Sequence, residues 1–325
     1  MEKNVTAAGN DGHDAHGHRH GHAHGHGGAH GHGHGHGHGR GSAAGEGAAD
    51  DFDWAAMADL LELEGETHSP YVRQALEELE HLDPRRVLDV GSGPGVAACR
   101  MASVFPRAEV TAVDGSPELL ARARERAERL GVRLRTEVAG FPEGLAALGP
   151  ADLVWSAQTV HHVGDQQDAL DRLAGLLAPG GVLAVVEGGL PARMLPRDPG
   201  FGRPGLQERL DAAMADRFDR MRTELPGSVA VVEDWPGMLR AAGLTEVRSR
   251  TFLVDLPAPL AEGPRRWVRQ WTERQRAVLG EALDAGDAAT LDRLLDPADP
   301  AGIDRRPDLF LLIAKTVHFG RRPGS

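Results

Sequence analysis

The chain has 325 residues, 41% hydrophobic and 26% charged, with a formal charge of −12; that is enough for one large domain with appendages or for two domains. The acidity leaves no footprint for nucleic-acid phosphates, no apolar run approaches the ~20 residues that span a bilayer, and no apolar stretch near the start resembles a secretory signal. One cysteine, Cys99, excludes an internal disulfide framework and a cysteine-only zinc site, so the expected setting is cytoplasmic.

Residues 1–50 differ in kind from the rest. Glycine and histidine alternate from His13 to His38, and small polar residues continue to Asp50. Such a tract has nothing apolar to bury and carries a heavy ordering entropy, so a disordered tail is expected. Its imidazoles, at His13, His16, His18, His20, His22, His24, His26, His30, His32, His34, His36 and His38, chelate divalent transition metals on chemical grounds. Their alternation does not match the ligand spacing of a structural or catalytic zinc site, and no metal is expected in the folded domain.

Residues 51–84 read as an N-terminal helical cover. Trp54, Met57, Leu60, Leu61 and Leu63 predict one amphipathic helix, and Val72, Ala75, Leu76 and Leu79 a second after Pro70. From residue 85 onward strands and helices alternate. Strands are predicted over 87–90, 110–113, 132–138, 152–156 and 182–186. Ser116-Pro117-Glu118 is a helix start, with N-cap, proline at the first helical position and an acid in the first turn. Leu119, Ala123, Ala127 and Leu130 form that helix's buried stripe, and Gly131 stops it. A helix over 169–177 ends at Pro179-Gly180-Gly181. Further helices are predicted over 206–222, 235–242 and, as a pair, 257–300, with strands over 247–254 and 309–319. Strands alternating with helices predict a parallel sheet covered on both faces.

The segment Asp89-Val90-Gly91-Ser92-Gly93-Pro94-Gly95 joins a strand to a helix. In such a turn, backbone N–H groups face an anion at the helix N-terminus. Asp114 follows the next strand, where an acid accepts ribose hydroxyls. Asp89 lies inside an apolar strand, where a carboxylate is costly without a partner. The dinucleotide pattern needs a glycine at position 96, which is Val96. A cofactor with a ribose and a small charged tail therefore fits better than a pyrophosphate.

These residues resemble the class I S-adenosylmethionine-dependent methyltransferases of the small-molecule type, whose first motif is an acid followed by G-x-G-x-G. Asp152-Leu153-Val154-Trp155-Ser156 with Thr159-Val160-His161-His162-Val163 resembles the family's fourth motif, and Leu176-Leu177-Ala178-Pro179-Gly180-Gly181-Val182-Leu183 its turn before the fifth strand. The resemblance implies a Rossmann-like, mostly parallel seven-stranded sheet with the last strand antiparallel. It also implies a methyltransferase domain over 85–325 with helical insertions near 190–230 and 257–304. S-adenosyl-L-methionine is the implied cofactor. Gly91, Gly93 and Gly95 would let the backbone approach its methionine part, Asp114 would bind the ribose, Ser156 and Gln158 would lie near the amino group, and Asp89, Ser92 and Gly115 are further cofactor-binding candidates. Where the family often has an adenine-binding Asp, this chain has Val138-Ala139-Gly140-Phe141; a stacked Phe141 is expected instead, with Glu143 as a fallback.

Methyl transfer from a sulfonium is an in-line displacement that needs a base only where the accepting atom must lose a proton. His161 and His162 are the candidate bases, with a packing role as the alternative. Glu187 either faces the acceptor or caps a loop. Tyr71, Trp267 and Trp271 either line a pocket or fill the core, and Cys99 reads as a small buried residue. The leading expectation is a methyltransferase acting on a small molecule, without nucleic acid or membrane partners. The alternative is a metal-handling protein with a chelating tail on a non-catalytic fold of the same type. Oligomeric state and accepting atom stay open.

Overall fold

The computed structural model describes residues 57–324. Trp54 and the histidine tract, with every predicted metal ligand, lie outside the described residues. The strands are β1 Arg86–Val90, β2 Glu109–Asp114, β3 Arg135–Val138, β4 Ala151–Ala157, β5 Leu177–Arg193, β6 Thr245–Leu256 and β7 Leu311–Arg321. The helices are α1 Ala58–Glu77, α2 Val96–Val104, α3 Pro117–Leu130, α4 Gln166–Gly175, α5 Leu206–Glu224, α6 Trp235–Ala241, α7 Glu262–Leu279 and α8 Ala285–Leu295.

The strands form one seven-stranded sheet in the order β3-β2-β1-β4-β5-β7-β6. β1 through β5 pair in parallel, and β7 runs antiparallel to both β5 and β6. This is the expected architecture. Side chains alternate across the strands and feed two cores. Val87, Trp155, Ala184 and Val317 face α1, α2 and α7, while Leu88, Val154, Leu183 and Leu170 pack with Leu239 of α6. The strand order reverses at β1, between β2 and β4, and a crevice at the carboxyl ends of strands flanking such a switch is where open α/β sheets bind ligands. Register sets Val90 opposite both Val113 and Ser156, so the chain leaves β1, β2 and β4 at one level.

Several elements differ from expectation. The two helices predicted around Pro70 are one helix, α1, with Pro70 inside it. Leu63, Tyr71, Val72, Ala75 and Leu76 bury a single continuous face, and tertiary packing outweighs the lost backbone hydrogen bond. Leu130 is 52% exposed. Its place on the α3 stripe passes to Arg126, whose guanidinium donates to Glu62 and Glu66 of α1 at 2.6 and 2.9 Å. β3 starts three residues later than predicted, and as an edge strand it keeps most of its residues in water. α4 stops at Gly175, and β5 runs through the Pro179-Gly180-Gly181 turn and on to Arg193, beyond the predicted 182–186. No helix among the described residues is long and apolar enough to cross a membrane.

Candidate active site

The glycine turn occupies the end of β1. Gly91, Gly93 and Gly95 all have left-handed backbones, with φ of 72°, 52° and 74°, a conformation that costs a side-chain-bearing residue about 1–2 kcal/mol. Their surroundings differ. A Cβ on Gly91 would lie 2.2 Å from the Thr159 hydroxyl oxygen, and one on Gly95 2.6 Å from the Ala123 methyl; at Gly93 nothing lies within 4 Å. Gly91 and Gly95 thus let the protein approach itself, and Gly93 alone opens onto space.

Asp114 ties the turn to β2. Its Oδ2 accepts from the Gly93 N–H at 2.8 Å and its Oδ1 from the Ser116 N–H at 2.9 Å. Ser116 caps α3 by accepting from the Leu119 N–H. Burial raises the Asp114 pKa, and the N–H groups of Ser116, Gly93 and Gly115 pull it back. Asp89 is buried on the neighbouring strand, where burial and the Asp114 charge push its carboxyl up to about 7. Three buried oxygens near this end of the sheet have no hydrogen-bond partner: Asp89 Oδ2 on the face that carries Val87 and Trp155, Ser92 Oγ in the turn, and Ser156 Oγ on the opposite face, with Val90 and Val154. Buried polar groups are normally satisfied. A ligand with a cation and hydrogen-bonding groups would meet that need, so the cradle fits S-adenosylmethionine, which carries an ammonium, a sulfonium and ribose hydroxyls.

Gly115 is exposed, with the chain at Gly140 close by. The Ala139 N–H donates to the Asp114 carbonyl at 3.0 Å, which brings the segment after β3 to this end of the sheet. Phe141 is half-buried there against the second core, and Glu143 is exposed.

The loop after β4 is organised by Glu187. This buried carboxylate accepts from the Thr159 and Val160 N–H groups at 3.0 and 2.9 Å, and its other oxygen lies 2.8 Å from His161 Nδ1. Of the two roles the sequence left open, Glu187 has that of loop anchor. Gln158, at φ 54°, donates to the Val186 carbonyl and accepts from Lys315 Nζ at 3.1 Å. Arg222 of α5 donates to the His161 and Val163 carbonyls at 2.8 and 2.5 Å. The His162 ring lies 4.2 Å from that of His161. Crowding by its neighbours and the His161 charge lower its pKa, but the residue as a whole stays exposed, so water screens part of that effect.

On α1, Tyr71 is buried within reach of the Asp89, Glu64 and Glu187 charges, and burial followed by those charges holds its phenol strongly protonated. Trp267 belongs to the core and stacks on Trp271 at 5.9 Å. Cys99 is buried, its thiol pushed up to about 11 by burial. Sequence reasoning missed Lys315 and His68, both buried. Each carried a signal: Lys315 is a lone cation in an apolar strand, and His68 lies one turn before Tyr71. Among the described residues no cluster of three His, Cys, Asp or Glu is placed to hold a metal.

A methyltransferase-domain family profile matches residues 87–181. A trans-aconitate 2-methyltransferase of Methylobacterium radiotolerans is 38% identical over 221 residues, 67% of this chain and 72% of that protein. A Pseudomonas paraeruginosa protein of the same name is 38% identical over 34% of this chain and 40% of its own length. The release factor glutamine methyltransferase of Bordetella pertussis is 34% identical over 57% of this chain and 63% of its own. With that sheet order, that turn and a relative matched over most of its length, the chain belongs to the class I S-adenosylmethionine-dependent methyltransferases.

Proposed function

We propose that the crevice at the ends of β1, β2 and β4 holds S-adenosylmethionine and delivers its methyl group to a small molecule bound beneath α1 and α7. The observation that carries this placement is the pair of partnerless buried oxygens on Asp89 and Ser92 beside a turn that opens at Gly93. Asp114 has spare lone pairs on both oxygens for the ribose hydroxyls. Ser92, Gly93 and Ser156 face the methionine end, with Gln158 behind them, and Gly115 and Phe141 border the adenine. Asp89 supplies negative charge for the cationic end.

Bound there, the cofactor supplies an electrophilic methyl on a sulfonium, and the chain's part is alignment and exclusion of water. For an acceptor that must lose a proton, His161 is the base in place. Donation from Nδ1–H to Glu187 leaves its lone pair on Nε2, as in an oriented general base, with the His162 ring beside it. The relatives' names put small carboxylic acids first among acceptors to screen. The tail histidines would add accessory metal chelation, and the protein would act in the cytoplasm.

Calorimetric titration with S-adenosylmethionine, S-adenosylhomocysteine and NAD tests the reading. Binding of the first two at one site per chain, with NAD ignored, is expected. NAD binding in their place would overturn it.

A further inference from the structure

Lys315 is the only lysine among the described residues. It lies on β7 between Ile313 and Val317, on the face those residues present to the core beneath α1 and α7, and only 8% of it is exposed. Among the described residues no carboxylate lies within salt-bridge distance. Its one hydrogen-bond partner is the side-chain carbonyl of Gln158. The nearest acid along that path, Glu187, is reached only through the Gln158 amide at 3.5 Å, and its oxygens are engaged by the loop after β4. A buried ammonium with one neutral partner is costly, and among the described residues Gln158 is the one partner for its three donors.

The surroundings are short of acceptors too. His68 of α1 is 3% exposed and Trp267 of α7 2%; their rings meet edge to face at 4.8 Å. Neither His68 Nε2 nor Trp267 Nε1 has a partner. Burial and then the Lys315 charge push the His68 imidazole well below its usual range, which places that charge beside it. Glu64, 3.7 Å from His68 Nδ1, also faces the cation Arg274 of α7. Tyr71 is the remaining titratable group on this face of α1.

We propose that Lys315 seats an anionic group, a carboxylate, of the methyl acceptor, with His68 and Trp267 forming the polar wall beside it. This rests on the cofactor placement above and adds the charge class and position of the acceptor. A carboxylate gives a buried ammonium a charge-assisted partner that a neutral acceptor lacks. It also leaves the acceptor on the α1–α7 side of Gln158, on the core face that carries Asp89.

The test uses the full chain with and without S-adenosylhomocysteine, and trans-aconitate and salicylate as probes beside their neutral amides. At least one carboxylate should bind at least tenfold more tightly than its amide. Lys315→Met should remove that preference, and Lys315→Arg should keep most of it. Occupancy should shift the His68 ring signals to a higher titration midpoint in the wild type, by NMR. In Lys315→Met that midpoint should already be raised without ligand. Thermal melts establish that the variants fold. Carboxylates that bind no better than amides, or bind Lys315→Met as they bind the wild type, would overturn the proposal. A wild type that ignores S-adenosylhomocysteine yet binds carboxylates through Lys315 would overturn the cofactor placement and leave this one standing.

Discussion

Asp114 does two jobs with one carboxylate. It holds the Gly93 and Ser116 N–H groups and, on the proposed placement, both ribose hydroxyls. Asp114→Ala should cost about 2–4 kcal/mol of cofactor affinity, taking roughly 1.5–3 per charged bond and discounting for water that replaces the side chain, a loss of some tens- to several hundred-fold. The anchoring bonds add an expectation that a loop-mouth residue alone would not carry: stability should fall by about 1–2 kcal/mol as well. Cofactor titration beside a urea melt reads both, and unchanged affinity in the folded variant would mean the ribose is misplaced. Asp89 makes a pH prediction. Its carboxyl titrates at about 7 in the fold against 3.8 ordinarily, so the folded chain holds that proton more tightly than the unfolded one. The resulting stability is full below about pH 4 and is lost as the pH climbs to about 7. His68, His162 and His318 are held down by burial and push the opposite way. The difference between wild type and Asp89→Asn isolates the aspartate. It should shift against the wild type by about 2 kcal/mol between pH 5 and 7.5, measured by urea unfolding at each pH; a constant difference would contradict the assignment.

Asp89, Asp114 and the glycines were legible because strand, turn and acid follow one another within thirty residues. Glu187 was not. Its partners Thr159, Val160 and His161 sit on another strand's loop, and only the β4–β5 pairing brings them together. The same holds among elements. Periodicity found nearly every helix and strand, yet it split α1 at Pro70, because the proline is a local signal and the face that α1 buries against α2 and α7 is not. Leu130 misled for a related reason, since the neighbouring surface of α1 offers Glu62 and Glu66 and selects Arg126 instead. The start of α2 shows how elements share the glycine turn. Gly95 lies against Ala123 of α3 with a left-handed backbone, so Gly95→Ala combines strain with overpacking and should cost about 2–4 kcal/mol. Gly93→Ala meets no neighbour and should cost only about 1–2 kcal/mol from backbone strain. Urea unfolding of the two variants compares them, and equal losses would contradict the division of labour among the glycines.

At the scale of the whole molecule, β–α alternation told of a parallel sheet covered on both faces, while the order β3-β2-β1-β4-β5-β7-β6 and the reversal of β7 lie in long-range pairings that alternation does not encode. That order assembles the site. It sets β1 between β2 and β4, so that the glycine turn, Asp114 and Ser156 emerge together, and it brings Lys315 of β7 to Gln158. The two cores separate the work: one packs α4 and α6 against the back of the sheet, and the other carries the α1–α7 cover over Asp89 and Lys315. The central claim is the position of the cofactor, and amide hydrogen exchange of the full chain with and without S-adenosylhomocysteine tests it most directly. Slowed exchange confined to residues 91–95, 114–116, 139–141 and 156–161, with β6 unchanged, is the predicted result. Protection elsewhere with those four segments unchanged would contradict the account.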